Sequence, residues 1–164
     1  MVAGWGSGLA MAIAKRKETL MHLFKSAVID APITAIWPVL RRFDGVVEWN
    51  PGVASVEIEG GKASDQVGCL RRLVLPDGGV IRETLLALDD REMSFTYDIV
   101  ESPLPVWNYV ATQRLQPVTM GEKTFASWEV WFDVADENAD AMAKVIGVGI
   151  FENGFTGMQE FFGR

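Results

Sequence analysis

A Pro-Asp-Gly segment at 76–78 lies between two apolar-rich runs, 67–75 and 80–88, and predicts a β-hairpin turn. Its proline suits the second position of a type I turn, and its glycine suits the following bulge position, where the backbone φ is positive. In such a loop Leu75 pairs with Gly79. Because a turn of known length fixes the register of the strands it joins, this segment constrains the fold more than any other.

Equal steps back from the turn place three residue pairs on one face of the hairpin. They are Leu73 with Ile81, Arg71 with Glu83, and Cys69 with Leu85. An arginine and a glutamate therefore share a face with apolar side chains. A buried ion pair is costly to desolvate, so this pair is the most informative indication of a site in the chain.

Composition limits the classes of protein that the chain can represent. A length of 164 residues with 49% hydrophobic content predicts one domain with a full core. The net charge of -7 disfavours nucleic-acid binding, which needs a basic surface. Cys69 is the only cysteine, so no intrachain disulfide can form and a cytoplasmic location is expected.

The first 19 residues differ from the rest of the chain. Residues 1–14 are apolar and glycine-rich, but the positive charges at 15–17 follow this stretch, the reverse of a secretory signal. The stretch is also too short to span a bilayer, so no stable membrane insertion is expected. Residues 1–19 are interpreted as a disordered extension, a start-site artefact or a loosely docked tail, and residues 20–164 as a single domain.

The order of predicted elements is that of an α+β domain. A first strand at 21–29 precedes two short helices, one beginning after a predicted Asp30 cap and interrupted by Pro38, the other at 46–49. From residue 138 onward, apolar residues at helical spacing predict a long amphipathic helix, which needs a partner surface because it contains several glycines. Between the second short helix and this long helix, alternating patterns predict six further strands, at 53–58, 67–75, 80–88, 92–100, 106–115 and 123–134.

Parts of the sequence resemble a known superfamily. "IDAPITAIWPVLRRFDGVVEWNP" resembles the opening of the SRPBCC superfamily, which includes START lipid-transfer domains, birch-pollen-allergen-like proteins and polyketide cyclases. "VGCLRRLVLPDGGVIRETLLALDD" and "SFTYDIVESPLPVWNYVATQRL" are similar to its bacterial polyketide cyclase/dehydrase and lipid-transport branch. The resemblance runs from about residue 20 to 162. It implies the helix-grip fold, in which a curved antiparallel sheet of about seven strands wraps a long C-terminal helix and leaves a cavity.

Several residues of the chain resemble the sequence pattern of this branch, whereas Pro38 departs from that pattern. The matching residues are Arg71, Glu83, Tyr97, Tyr109, Trp37, Trp49, Pro105 and Trp128. Extending the register across a tight connection at 89–91 pairs Leu88 with Glu92 and Leu85 with Phe95. It also places Glu83 opposite Tyr97. Arg71, Glu83 and Tyr97 are then predicted to form a row across three strands.

Two interpretations of this row stay open at the level of the sequence. The three side chains can form a satisfied internal polar cluster, or they can orient a ligand among apolar walls. Under the second, the predicted ligand-binding residues are Arg71, Glu83, Tyr97, Tyr109 and Trp128. The partner is then a small hydrophobic molecule with a polar end, bound or transported in the cavity by a monomer or homodimer.

The alternative function is a polyketide cyclase or aromatase-like enzyme, with Glu83 as base and Arg71 or a tyrosine as oxyanion partner. An arginine-bound glutamate is expected to have a lowered pKa, which makes it a poorer base. A third possibility is an interaction protein with a vestigial cavity. His22 is the only histidine, too few for a histidine metal site or a Ser-His-Asp triad, so no metal and no cofactor are predicted.

Overall fold

The computed structural model describes residues 17–163, and within them one antiparallel sheet is covered by helices. The seven strands of the sheet have the order β1-β7-β6-β5-β4-β3-β2. The strands are β1 (Glu18–Ile29), β2 (Ser55–Glu59), β3 (Leu70–Val74), β4 (Val80–Asp89), β5 (Ser94–Glu101), β6 (Val106–Val118) and β7 (Lys123–Ala135). The helices are α1 (Ile33–Leu40), α2 (Val46–Trp49), α3 (Ala139–Lys144) and α4 (Asn153–Phe162), with a π-helical stretch, Val145–Glu152, joining the last two.

The first strand begins at Glu18, two residues before the predicted domain boundary. The predicted N-terminal extension otherwise lies outside the described residues, up to residue 16. None of the helices within 17–163 has the length and apolar character needed to cross a membrane.

Helix α1 confirms the early end predicted from Pro38 but not the predicted cap. The helix ends at Leu40, two residues after Pro38, which lacks the N–H donor that a helix interior requires. Pro32, and not Asp30, occupies the N-cap position, and no side chain within residues 17–163 caps this helix. Proline fits there because its extended ψ of 146° leads into the helix and its missing N–H would have had no intrahelical partner.

The β3–β4 hairpin has the register predicted from its turn. Leu73 lies opposite Ile81, and Arg71 lies opposite Glu83. Gly78 has a φ of 88°, and the backbone N–H of Leu75 donates to the carbonyl of Gly79 over 2.8 Å. This turn therefore positions the ion pair.

The β4–β5 register differs from the prediction. Glu83 lies opposite Ile99, not Tyr97, and Tyr97 lies opposite Leu85. The connection is longer than predicted, since the first pair is Asp89 with Ser94, and a residue with positive φ, Met93, closes it. A β-bulge at position 86 then adds one residue to β4.

Helix α3, the π-helical stretch and α4 follow one another without a gap and together form the C-terminal helix. This helix packs across the inner face of the sheet, as predicted. The ring of Phe151 stacks on that of Trp128, with centroids 4.3 Å apart. A Cβ atom on Gly154 would lie 2.8 Å from Trp128 Cζ3, and one on Gly157 would lie 2.3 Å from the Trp49 carbonyl oxygen. Two of the helix glycines are thus needed for close approach to α2 and the sheet.

Candidate functional site

A cavity of about 630 Å³ lies between the inner face of the sheet, helix α2 and the C-terminal helix. Much of its wall is apolar, with Leu73, Ile81, Phe95, Ile99, Leu104 and Ile150 among the lining residues. All five residues predicted to bind a ligand also line it: Arg71, Glu83, Tyr97, Tyr109 and Trp128. Trp37, which the family pattern also indicated, instead donates its indole N–H to Asp90 over 2.9 Å.

Arg71 and Glu83 form a buried ion pair on the cavity wall. Arg71 Nε donates to Glu83 Oε2 over 2.6 Å, and the two residues are 4% and 5% exposed. Arg71 Nη1 also donates to the carbonyl oxygen of Phe43 over 2.8 Å. The guanidinium carbon lies 3.8 Å from the centroid of the Phe43 ring and 5.2 Å from that of Tyr97. The pair is therefore fixed by a carboxylate, a carbonyl and two aromatic rings.

Tyr97 continues this network towards β7. Its hydroxyl oxygen accepts a hydrogen bond from Trp128 Nε1 over 3.0 Å. The ring of Tyr109 lies beside that of Tyr97, with centroids 6.3 Å apart. Burial raises the pKa of both tyrosines above the usual value, and the negative charge of Glu83 adds to the rise. Both therefore stay neutral at physiological pH.

The pKa of Glu83 is raised, contrary to the lowering expected from its arginine partner. Burial disfavours the charged form of the carboxyl group, and the attraction and hydrogen bond of Arg71 offset only part of this effect. The sequence identified the partner of Glu83 but not how completely the carboxyl group is removed from water.

Two cavity-lining residues that the sequence analysis did not propose as a polar site carry buried polar atoms. Gln113 Oε1 and Trp49 Nε1 are shielded from solvent, and neither has a hydrogen-bond partner among the described residues. A signal for Gln113 was present: it follows Tyr109 at even spacing, on the inward side of β6. The indole N–H of Trp49 had no such signal, since its direction depends on how α2 packs.

His22 and Cys69 have hydrogen-bond partners outside this network. His22 is on the exposed face of β1, where it stacks on Trp131 and contacts Glu129 Oε1 over 2.7 Å. Burial raises the pKa of the Cys69 thiol, which keeps it in the less nucleophilic protonated form. Across residues 17–163, histidine, cysteine, aspartate and glutamate form no group of three or more that could hold a metal ion.

Comparisons with known proteins identify the family. The model of the family described as polyketide cyclase/dehydrase and lipid transport matches residues 21–160. The chain therefore belongs to this family, which confirms the SRPBCC assignment predicted from the sequence.

A curated protein and a solved structure are similar to this chain. The abscisic acid receptor PYL10 of Arabidopsis thaliana is 31% identical over 99 residues, which cover 58% of this chain and 53% of the receptor. The chain thus spans about half the length of that relative. A protein from Bacillus thuringiensis has a TM-score of 0.77 and 26% identity, over 87% of this chain and 98% of its own.

Norcoclaurine synthase from Thalictrum flavum, solved in complex with dopamine and hydroxybenzaldehyde, has a TM-score of 0.69. It is 16% identical, over 98% of this chain and 93% of its own, so the likeness concerns the fold alone. Together with the sheet order and the C-terminal helix, these similarities confirm the predicted helix-grip α+β fold.

Proposed function

We propose that this member of the polyketide cyclase/dehydrase and lipid-transport family binds a small hydrophobic molecule through a polar end and sequesters or carries it. The observation that carries the proposal is a buried arginine with unused donors on the wall of an otherwise largely apolar cavity. The volume of about 630 Å³ lies within the usual range for small-molecule sites, roughly 300–1,000 Å³.

The hydrogen bonds of Arg71 define the polar end of the ligand. A guanidinium has five N–H donors, and Arg71 gives one to Glu83 and one to the Phe43 carbonyl. The remaining donors suit a carboxylate, enolate, phenolate or carbonyl oxygen. The neutral Tyr97 side chain, whose ring centroid lies 5.2 Å from the guanidinium carbon, can donate a hydrogen bond to the same oxygen, and Tyr109 lies next to Tyr97.

The names of similar proteins support ligand binding as the coarse function. The family is described as polyketide cyclase/dehydrase and lipid transport, and one similar protein is a receptor for abscisic acid. The ion pair favours binding over catalysis, because Glu83 Oε2 is held by Arg71 at 2.6 Å.

Native mass spectrometry of protein purified from its own host tests the proposal. We expect co-purified small molecules with the wild type and with Arg72→Ala, a control that removes the neighbouring arginine on the other face of β3. Arg71→Ala is expected to lose them, at some cost in stability. Because it leaves Glu83 unpaired, the double variant Arg71→Met/Glu83→Leu provides a second test in which no charge is stranded. Equal occupancy in a folded double variant would refute the anchor role of Arg71.

The second candidate function is an enzyme of the cyclase or aromatase type. The raised pKa of Glu83 favours this function, because it brings the pKa of the carboxyl group closer to the values that suit a general base. Glu83 would then take a proton from carbon while Arg71 stabilises the resulting enolate oxygen. If the co-purified compound is converted by the protein, Glu83→Gln should keep the fold and eliminate turnover. Unchanged turnover in this variant would exclude Glu83 as the base.

A further inference from the structure

Two buried polar atoms on the cavity wall have no role in the network around Arg71. Gln113 and Trp49 are each 4% exposed, and Gln113 Oε1 and Trp49 Nε1 have no partner among the described residues. Burying such a group without a hydrogen bond is unfavourable, and most buried polar groups in folded proteins are paired. An apolar side chain of similar size would fill either position without this cost. The two groups therefore indicate a requirement beyond packing.

Both residues line the cavity next to Trp128. Gln113 lies between Phe95 and Trp128 in the sheet, since it is paired with both across β5 and β7. Trp49 packs edge-on against Trp128, with ring centroids 6.4 Å apart. One group is an acceptor and the other a donor, so they complement each other chemically.

Gln113 and the ion pair belong to different strands of the sheet. Arg71 is on β3 and Gln113 is on β6, three strand positions apart in the sheet. At a spacing of about 4.8 Å between strands, their backbones are about 14 Å apart along the sheet, and inward side chains approach more closely, as the 5.2 Å between Arg71 and the ring of Tyr97 on β5 shows. Aromatic and apolar side chains, including Phe95 and Tyr97, lie between them on the wall. A ligand that fills the cavity would thus contact polar groups at two points of its wall.

We infer that Gln113 and Trp49 form a second recognition point, and that the ligand has two polar ends: an anionic or carbonyl oxygen at Arg71 and a hydroxyl group at Gln113 and Trp49. A hydroxyl fits because it donates a hydrogen bond to an amide oxygen and accepts one from an indole N–H. Rotation of the Gln113 carboxamide about its last torsion presents its oxygen to the ligand. The inference rests on the proposed function and specifies the class of molecule bound.

Matched carboxylic acids with and without a terminal hydroxyl test the inference. The probes are straight-chain alkanoates of about four to fourteen carbons and their ω-hydroxy counterparts, whose lengths extend up to the backbone separation of about 14 Å. Calorimetry measures the affinity for each acid. Within one narrow range of chain lengths, the ω-hydroxy acid should bind roughly tenfold more tightly than the alkanoate of the same length. In Gln113→Leu, and in Trp49→Phe, which keeps an aromatic ring, the ratio of the two affinities should fall towards one. Gln116→Leu, on the exposed face of the same strand, should keep the wild-type ratio.

The outcomes separate the two proposals. If the parent acids bind but a hydroxyl gives no gain at any length, the second recognition point is refuted while the ligand-binding function stands. If no acid binds the wild type, this inference fails; if in addition no small molecule co-purifies, the proposed function fails with it. If the hydroxyl gain survives in both Gln113→Leu and Trp49→Phe, the hydroxyl is recognised elsewhere and the assignment is wrong.

Discussion

Replacing Arg71 and replacing Glu83 should change the stability of the protein in different ways, because of the two groups only the Glu83 carboxylate can lose its charge. In Glu83→Leu the guanidinium stays charged at every accessible pH and remains buried without its partner. Removing one member of a buried ion pair costs about 3–5 kcal/mol. Folded proteins of this kind are stable by only about 5–15 kcal/mol, so the change should be large and independent of pH.

In Arg71→Met the buried group left without a partner is the Glu83 carboxylate, and protonation can neutralise it. The pKa of Glu83 is already raised above 4.5 by burial, and removing Arg71 takes away the main opposing effect. A group with a pKa raised in the folded state contributes stability below its unfolded pKa and loses it as the pH rises. The variant should therefore be most stable below pH 4.5 and lose about 1.4 kcal/mol per pH unit above it, until the raised pKa is passed. The orphaned Phe43 carbonyl adds a pH-independent cost of about 1–3 kcal/mol.

Urea unfolding of the wild type, both single variants and Arg71→Met/Glu83→Leu, at several pH values, measures these free energies. The double variant should be near the wild type in stability, apart from the cost at Phe43, because no charge is stranded. Both single variants costing less than about 1 kcal/mol, the value for an exposed pair, would refute the reasoning. That result would mean that water entering the cavity solvates the pair. A pH-dependent Glu83→Leu with a pH-independent Arg71→Met would refute the assignment of the titrating group.

Further predictions concern the elements that enclose the cavity. Gly149→Ala should stabilise the protein by up to about 1 kcal/mol in thermal unfolding, because a Cβ atom there meets nothing within 4 Å. Gly154→Ala should destabilise the protein by about 1–3 kcal/mol, because a Cβ atom on Gly154 would lie 2.8 Å from Trp128. Equal changes in stability in the two alanine variants would refute the packing argument. Thr124→Val should cost about 1–3 kcal/mol in urea unfolding, because the buried Thr124 hydroxyl donates to the Ala31 carbonyl over 2.8 Å. Thr124→Ser keeps the hydroxyl and should lose much less, so similar losses in both variants would contradict this role.

The part of the fold that local chemistry determines was predictable. A proline at one turn position and a glycine with a φ of 88° at another fixed the β3–β4 register, and with it the contact between Arg71 and Glu83. The C-terminal helix was also predictable from its apolar spacing, except that its middle part, Val145–Glu152, is π-helical and leaves Val148 exposed. Its close contact with α2 through Gly157 depends on three-dimensional packing, which the spacing does not reveal.

The β4–β5 connection was not predictable in the same way. It is closed by Met93 at a φ of 46°, a conformation for which methionine gives no signal. The missed bulge at position 86 depends on how the sheet twists and not on a local motif. Likewise, the direction of the shift in the Glu83 pKa depends on burial by elements distant in sequence, which the partner residue alone could not indicate.

The candidate site was nevertheless found, because membership of a sheet face depends on the parity of the register and not on its exact value. The longer connection moves the register by an odd number of residues, which would turn Tyr97 away from the face that carries Glu83. The bulge in β4 adds one more residue and restores the parity, so that Tyr97 lies opposite Leu85 and on the same face as Glu83. Tyr97 is then displaced along the sheet by one inward position. Its ring still lies within 5.2 Å of the Arg71 guanidinium because both side chains converge over the cavity. Removing the bulge by deleting Leu86 should therefore disrupt the site even if the hairpin itself can still form.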